Sequence, residues 1–200
     1  MSFFENTRKP AGFSGRVMVS MMNLCHSPMA RWGFRFLKLA GNAAVLDCGC
    51  GGANLTRLLK KCPDGIVKGI DYSPVSVEKA RKVNQQAIQQ GRCTVLNGNV
   101  ADMIFASSWF DAVTAFEAVY FWPDLSASFR EVYRVLKSGG TFLICNECGD
   151  PEKYSKWTEI IDGMTVYRDT ELQAALEQAG FHHVQTHSNK MGWLCVTARK

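Results

Sequence analysis

Two hundred residues, 46% of them hydrophobic, suit one globular domain with a substantial core. The net charge of +5, from 23 basic and 18 acidic residues, is mild, and the basic residues are scattered, so no nucleic-acid partner is expected. Eight cysteines without paired spacing point to a reduced, cytoplasmic protein, and no stretch approaches the roughly 20 apolar residues of a bilayer span, so no membrane partner is expected.

The chain begins with helical patterning. Phe13, Val17, Met21 and Leu24 recur at helical spacing. Val17 to Met22 is too short and too broken for a secretory signal. Ser27-Pro28 reads as a capped helix start, with Met29, Trp32 and Phe36 along one face. His26, at the break between the two helices, is a candidate general base near neutral pH. The plainer reading is a capping or surface histidine.

The first strand, Ala44–Asp47, runs into Cys48-Gly49-Cys50-Gly51-Gly52, and a helix-like run from Leu55 to Lys61 follows. Strand, acid, bare backbone, helix is how an α/β sheet presents a nucleotide-like ligand at the carboxyl end of its first strand. A carboxylate directly before the glycines repels a pyrophosphate and welcomes an ammonium or a sulfonium. The third glycine of a dinucleotide fingerprint would fall on Asn54, which disfavours NAD and FAD. A tight strand–helix turn without a ligand is the competing reading. The second strand, Ile66–Asp71, ends in an acid close to the expected ribose position, about 20 residues past the loop. Both oxygens of Asp71 can accept from ribose hydroxyls, and Tyr72 offers a flat face for adenine.

Ser73-Pro74 opens a helix carrying Val77, Ala80, Val83 and Ala87, which Gly91 closes. Strands are expected at Cys93–Leu96, Asp111–Phe116, Thr141–Asn146, His183–His187 and Trp193–Ala198. Leu125, Phe129, Val132 and Leu136 form a buried stripe on a helix that Gly139-Gly140 ends. Thr170 with Gln173 reads as a capping box, and Gly180 as a stop. His182, His183 and His187 read as structural. Cys48 and Cys50 flank Gly49, and Cys145 and Cys148 form C-x-x-C. A turn committed to a ligand is poor zinc geometry, so no metal is expected.

Five ordered stretches, VLDCGCGGANLT, GIDYSPVSVEKA, NGNVADMIF, FDAVTAFEAVYFW and EVYRVLKSGGTFLICNE, resemble the class I S-adenosylmethionine-dependent methyltransferases from about Ala43 to Glu147. The closest flavour is the small-molecule branch that includes the ubiquinone and menaquinone biosynthesis enzymes. The resemblance implies one α/β Rossmann-like domain over residues 1–200. Its seven-stranded sheet would have the order 3-2-1-4-5-7-6, with strand 7 antiparallel and helices on both faces. It implies S-adenosyl-L-methionine as cofactor and S-adenosyl-L-homocysteine as product.

By the same resemblance Asp47, Gly49, Cys50 and Gly51 hold the methionine end, and Asp71 and Tyr72 hold ribose and adenine. Asn99 and Val100 grip the adenine edge, where many relatives carry Asp at the first position; Asp102 is a competing contact. Ala53 stands where the family usually has glycine. Glu117 lies near the transferring methyl as cofactor contact or base, against the reading of an exposed cap acid. Tyr120, Phe121 and Trp122 form an aromatic wall for substrate or sulfonium, against the reading of core under a loop. Residues 1–42 form a helical lid in which Met22 and His26 touch substrate. Deleting residues 1–26 is expected to leave the sheet folded and to weaken substrate binding; unchanged turnover would refute the lid. The activity expected is methyl transfer to a small molecule. A nucleic-acid or protein methyltransferase, and a binding module without turnover, are the alternatives.

Overall fold

The structure, a computed structural model, describes residues 15, 17, 18, 21, 24–51 and 53–200. The elements are α1 (Ser27–Gly33), β1 (Ala44–Cys48), α2 (Ala53–Lys61), β2 (Ile66–Asp71), α3 (Pro74–Val83), α4 (Gln85–Gln89), β3 (Cys93–Asn97), β4 (Phe110–Phe116), a 3-10 turn (Val119–Phe121), α5 (Leu125–Val135), β5 (Leu136–Asn146), α6 (Ser155–Ile160), α7 (Asp169–Gln178), β6 (His182–Ser188) and β7 (Leu194–Arg199). They build one seven-stranded sheet in the order β3-β2-β1-β4-β5-β7-β6. β7 runs antiparallel to β5 and β6, and the other pairs are parallel. Among the described residues no helix is long and apolar enough to cross a membrane.

The strands carry apolar side chains on both faces because helices cover both. On one face Phe110, Phe129, Phe142 and Leu172 are fully buried; on the other Met29, Leu55, Leu58 and Leu143 are. The first strand is pinned at its start by Asp111, whose carboxylate accepts from the Ala44 N–H (2.8 Å) and from Lys137 (2.8 Å).

Four local expectations are corrected. The helix expected to run from Ser73 to Gly91 breaks at Asn84. There the buried amide donates to the Ala80 carbonyl (2.9 Å) and accepts from Thr56 (2.8 Å), so its side chain competes with the helical ladder. Leu136 opens β5 instead of ending α5. Phe110 pairs with Leu136 while Ala112 pairs with Thr141, so residues 137–140 form a bulge that Gly139, at φ +75°, completes. The late helix starts at Asp169, and the Glu171 carboxylate reaches back to the Arg168 N–H (2.7 Å); Thr170 and Gln173 are not its box. His26, not Ser27, stands at the cap position of α1, and the Ser27 hydroxyl accepts from Arg57 (2.6 Å) instead.

The early apolar stripe faces outward. Val17, Met21 and Leu24 are exposed and Met18 is buried; Phe13 lies outside the described residues. Helix α1 is packed hard onto β5. Met29 is fully buried with its sulfur 3.1 Å from the Cys145 sulfur, and a Cβ at Gly33 would meet that sulfur at 2.5 Å. Only glycine lets α1 approach so closely.

Candidate functional site

The site stands at the carboxyl tips of β1, β2, β4 and β5. Asp47, on β1, is 1% exposed. Strand pairing sets it beside Thr114 on β4, whose hydroxyl donates to its Oδ1 (2.6 Å). Its Oδ2 is buried without a hydrogen-bond partner. A buried carboxylate oxygen left unpaired is costly and calls for a donor. Burial pushes Asp47 up to about 7 from an ordinary 3.8; Asp71 adds repulsion, while Thr114 and Arg57 pull it down.

Gly49 follows at φ +78°, and a Cβ there would lie 2.5 Å from that of Ala118. The loop is thus bare because it turns in the left-handed region and packs against the segment after β4. The Gly49 N–H donates to the Ile70 carbonyl (2.8 Å), which folds the loop back onto β2. Gly51 also has positive φ, at 45°. Cys50 turns its sulfur into the core beside Gly69, so only its backbone faces the cleft. Gly52 lies outside the described residues.

Asp71, at the tip of β2, accepts from the Ser73 N–H (2.9 Å) and, at 3.4 Å, from the Gly51 N–H. It is buried, and desolvation raises it to about 6 against the pull of those two bonds. Tyr72 is exposed next to it. Val100 is buried in the core, and Asn99 is exposed. The Asn99 side-chain oxygen already accepts from the Ala101 N–H (3.0 Å), and Asp102 is exposed beside it.

Glu117 follows β4 at φ +54°, a left-handed conformation rare for a side chain of this size. Its Oε1 accepts from the Tyr120 hydroxyl (3.1 Å) and, in a short contact of 2.5 Å, from the Glu147 N–H. Burial and the neighbouring Glu147 charge push Glu117 up to about 8, against those two bonds. Its Oε2 lies 3.9 Å from Nε2 of His26, and the same nitrogen lies 4.0 Å from Oε2 of Glu147. Burial lowers the His26 pKa.

The aromatic wall is corrected. Tyr120 is 2% exposed, and its hydroxyl also accepts from the Cys148 N–H (2.7 Å), so it is buried and braces Glu117. Trp122 is half-buried and packs against the core on one face of the sheet, parallel to Phe142 (6.4 Å) and edge-on to Phe129 (6.0 Å). Met22 lies outside the described residues. The cysteines are free, and all but Cys25 are buried.

Thr114 and Glu147 escaped the sequence reading. Thr114 is recognisable only once the register of β1 on β4 is known. Glu147, directly after β5, carried a signal: an acid at a strand tip, like Asp47, Asp71 and Glu117.

The site fits a small cationic nucleoside. Asp47 offers an unpaired buried oxygen, Gly49 leaves bare main chain beside it, and Asp71 presents a second carboxylate at the neighbouring tip.

Comparison with known proteins agrees. Residues 46–144 match the family described as a methyltransferase domain. Cycloartenol-C-24-methyltransferase of Arabidopsis thaliana is 31% identical over 147 residues, covering 68% of this chain and 44% of that protein. A sterol 24-C-methyltransferase of Aspergillus fumigatus is 35% identical over 147 residues, covering 68% of this chain and 39% of that protein. The chain thus spans less than half the length of these curated relatives. Among solved structures, a Haloferax volcanii methyltransferase complexed with the Trm112 activator shares the fold at TM-score 0.82 and 23% identity, covering 91% of this chain and 93% of that one. Geranyl diphosphate C-methyltransferase of Streptomyces coelicolor, crystallised with S-adenosyl-L-homocysteine, shares it at TM-score 0.73 and 15% identity, covering 86% of this chain and 75% of that one. The strand order, the acid-glycine loop and the match over residues 46–144 together place this chain in the class I S-adenosylmethionine-dependent methyltransferase family.

Proposed function

We propose that this chain is an enzyme that transfers a methyl group from S-adenosyl-L-methionine to a small-molecule acceptor. The observation that carries the reading is the buried, unpartnered Oδ2 of Asp47 next to the bare loop at Gly49. Asp47 and the backbone of residues 49–51 would hold the amino-acid end, Asp71 the ribose hydroxyls, and Tyr72 with residues 99–100 the adenine. The cofactor supplies a methyl group already activated on a sulfonium. The protein's task is then alignment for in-line displacement, which can contribute about 7–11 kcal/mol. Glu117 and its brace to Tyr120 and Glu147 fix the acceptor end of the cleft.

Small acceptors are favoured by the relatives, which are named for methylating sterols, and by the fold neighbour named for geranyl diphosphate. A quinone-pathway acceptor, suggested by the sequence resemblance, belongs in the same test. Thermal shift with S-adenosyl-L-methionine, followed by mass spectrometry of a panel of isoprenoid, sterol, quinone-precursor and thiol compounds, is expected to show stabilisation and a methylated product. Stabilisation without any product favours a binding module. Methylated RNA or protein in place of a small product overturns the acceptor class.

Asp47 gives this reading a pH signature. Its pKa is raised from 3.8 to about 7, so the ligand-free protein loses stability as pH rises between those values. Only the ionised carboxylate attracts the positive donor. Affinity for S-adenosyl-L-methionine is therefore expected to rise from about pH 6 to about pH 8 and to level off above. Calorimetric titrations across that range check it, and Asp47→Asn should remove the part of the rise centred near pH 7 and leave the part that Asp71, raised to about 6, contributes at the lower end.

A further inference from the structure

We propose that His26, Glu117 and Glu147 form a binding site for a divalent transition-metal ion at the acceptor end of the cleft. This reverses the expectation of no metal, which considered only the cysteines. The site deepens the methyltransferase reading and rests on it for its catalytic role.

Among the described residues this is the one group of three metal-ligating side chains, and its ligand atoms all lie within 4.8 Å of one another. The three come from distant parts of the chain: the cap of α1, the tip of β4 and the tip of β5. Nitrogen and oxygen ligands of such an ion sit about 2.0–2.2 Å from it, so they stand roughly 3–4 Å apart around it. The imidazole nitrogen already lies 3.9 Å and 4.0 Å from the two carboxylate oxygens. Small side-chain rotations close the remainder.

The supporting contacts resemble those behind metal ligands. Oε1 of Glu117 is occupied by the Tyr120 hydroxyl and the Glu147 N–H, which turns Oε2 toward His26. Tyr120 is itself held by the Cys148 N–H. No lysine or arginine pairs with either carboxylate among the described residues.

Position supports a catalytic role. Ala118, next to Glu117, is the residue against which Gly49 packs, so the cluster adjoins the methionine end of the donor loop. Three protein ligands leave coordination positions open, and a mixed imidazole–carboxylate set suits Mn2+, Fe2+ or Zn2+. The acceptor class that follows is a hydroxyl or thiol able to ligate the ion. Coordination releases its proton to water at lower pH. The oxygen or sulfur lone pair then bonds to the methyl carbon as the carbon–sulfonium bond breaks, and that bond's electron pair stays on the donor sulfur.

The test is titration of the full chain with Mn2+, read by electron paramagnetic resonance. One bound ion per chain is expected, with electron-spin-echo modulation from a coordinated imidazole nitrogen. His26→Ala and Glu147→Gln are each expected to weaken binding by more than about tenfold. Calorimetry with S-adenosyl-L-homocysteine on the same proteins is expected to show little change. No binding up to millimolar Mn2+, binding without nitrogen modulation, or equal binding in both variants overturns the proposal. The modulation decides the matter without a variant, should one fail to fold. If Mn2+ binds and S-adenosyl-L-homocysteine does not, the metal site stands and the methyltransferase reading falls; the converse result does the opposite.

Discussion

Asp71→Ala is expected to weaken S-adenosyl-L-homocysteine binding by about ten- to a hundredfold. The carboxylate has two tasks. It would accept from the ribose hydroxyls, and a hydrogen bond to a charged group contributes about 1.5–3 kcal/mol. It also ties the loop to the following helix through the Gly51 and Ser73 N–H groups at 3.4 Å and 2.9 Å. A tenfold loss is about 1.4 kcal/mol, so the loss of a single ribose bond reaches the lower figure. Asp71→Asn keeps one acceptor and is expected to fall between. Isothermal titration on folded variants, judged by circular dichroism, decides. Unaltered affinity in the alanine variant would sink the ribose assignment.

Gly49→Ala is expected to destabilise the protein by about 2–5 kcal/mol. Roughly 1–2 kcal/mol comes from placing a Cβ in the left-handed region, and about 1–3 kcal/mol from overpacking. The new Cβ would lie 2.5 Å from the Ala118 Cβ, with φ at +78°. Gly91 is the control: it has φ +72° and nothing within 4 Å of a built Cβ. Gly91→Ala should cost only the backbone portion. Adding Ala118→Gly to Gly49→Ala should restore the packing portion and leave the rest. Thermal melts of the four proteins test this, at roughly 2–4 °C per kcal/mol for a chain of this size. Equal losses at Gly49 and Gly91 would mean that the contact with Ala118 is soft.

The elements that the sequence made plain are those where local chemistry and burial agree. β2 ends on Asp71 and β1 ends one residue past Asp47, so both acids sit at the strand tips that the sequence marks. α3 begins at Pro74 after Ser73, whose hydroxyl accepts from the Ser76 N–H. The misread boundaries have tertiary causes. Leu136 continues the apolar period of α5, but pairing with Phe110 draws it into the sheet. Asn84 ends α3 through a bond to Thr56, which no local window contains.

The site was legible in its donor half and obscure in its acceptor half for a similar reason. Asp47, Gly49 and Asp71 belong to two consecutive strand–turn units with fixed spacing. His26, Glu117 and Glu147 meet only through the packing of α1 on β5 and the order of β4 beside β5. Tyr120 and Trp122 lie so close to Glu117 in sequence that a shared wall was a natural reading. The 3-10 turn sends one to brace an acid and lays the other, half-buried, against the core.

The tyrosine hydroxyl that joins the end of β4 to the segment after β5 has a mechanical effect. With both tips knotted through one oxygen, an oversized guest pressing on either tip must shift the two together. Discrimination by bulk would then come from stiffness more than from the contour of any single surface.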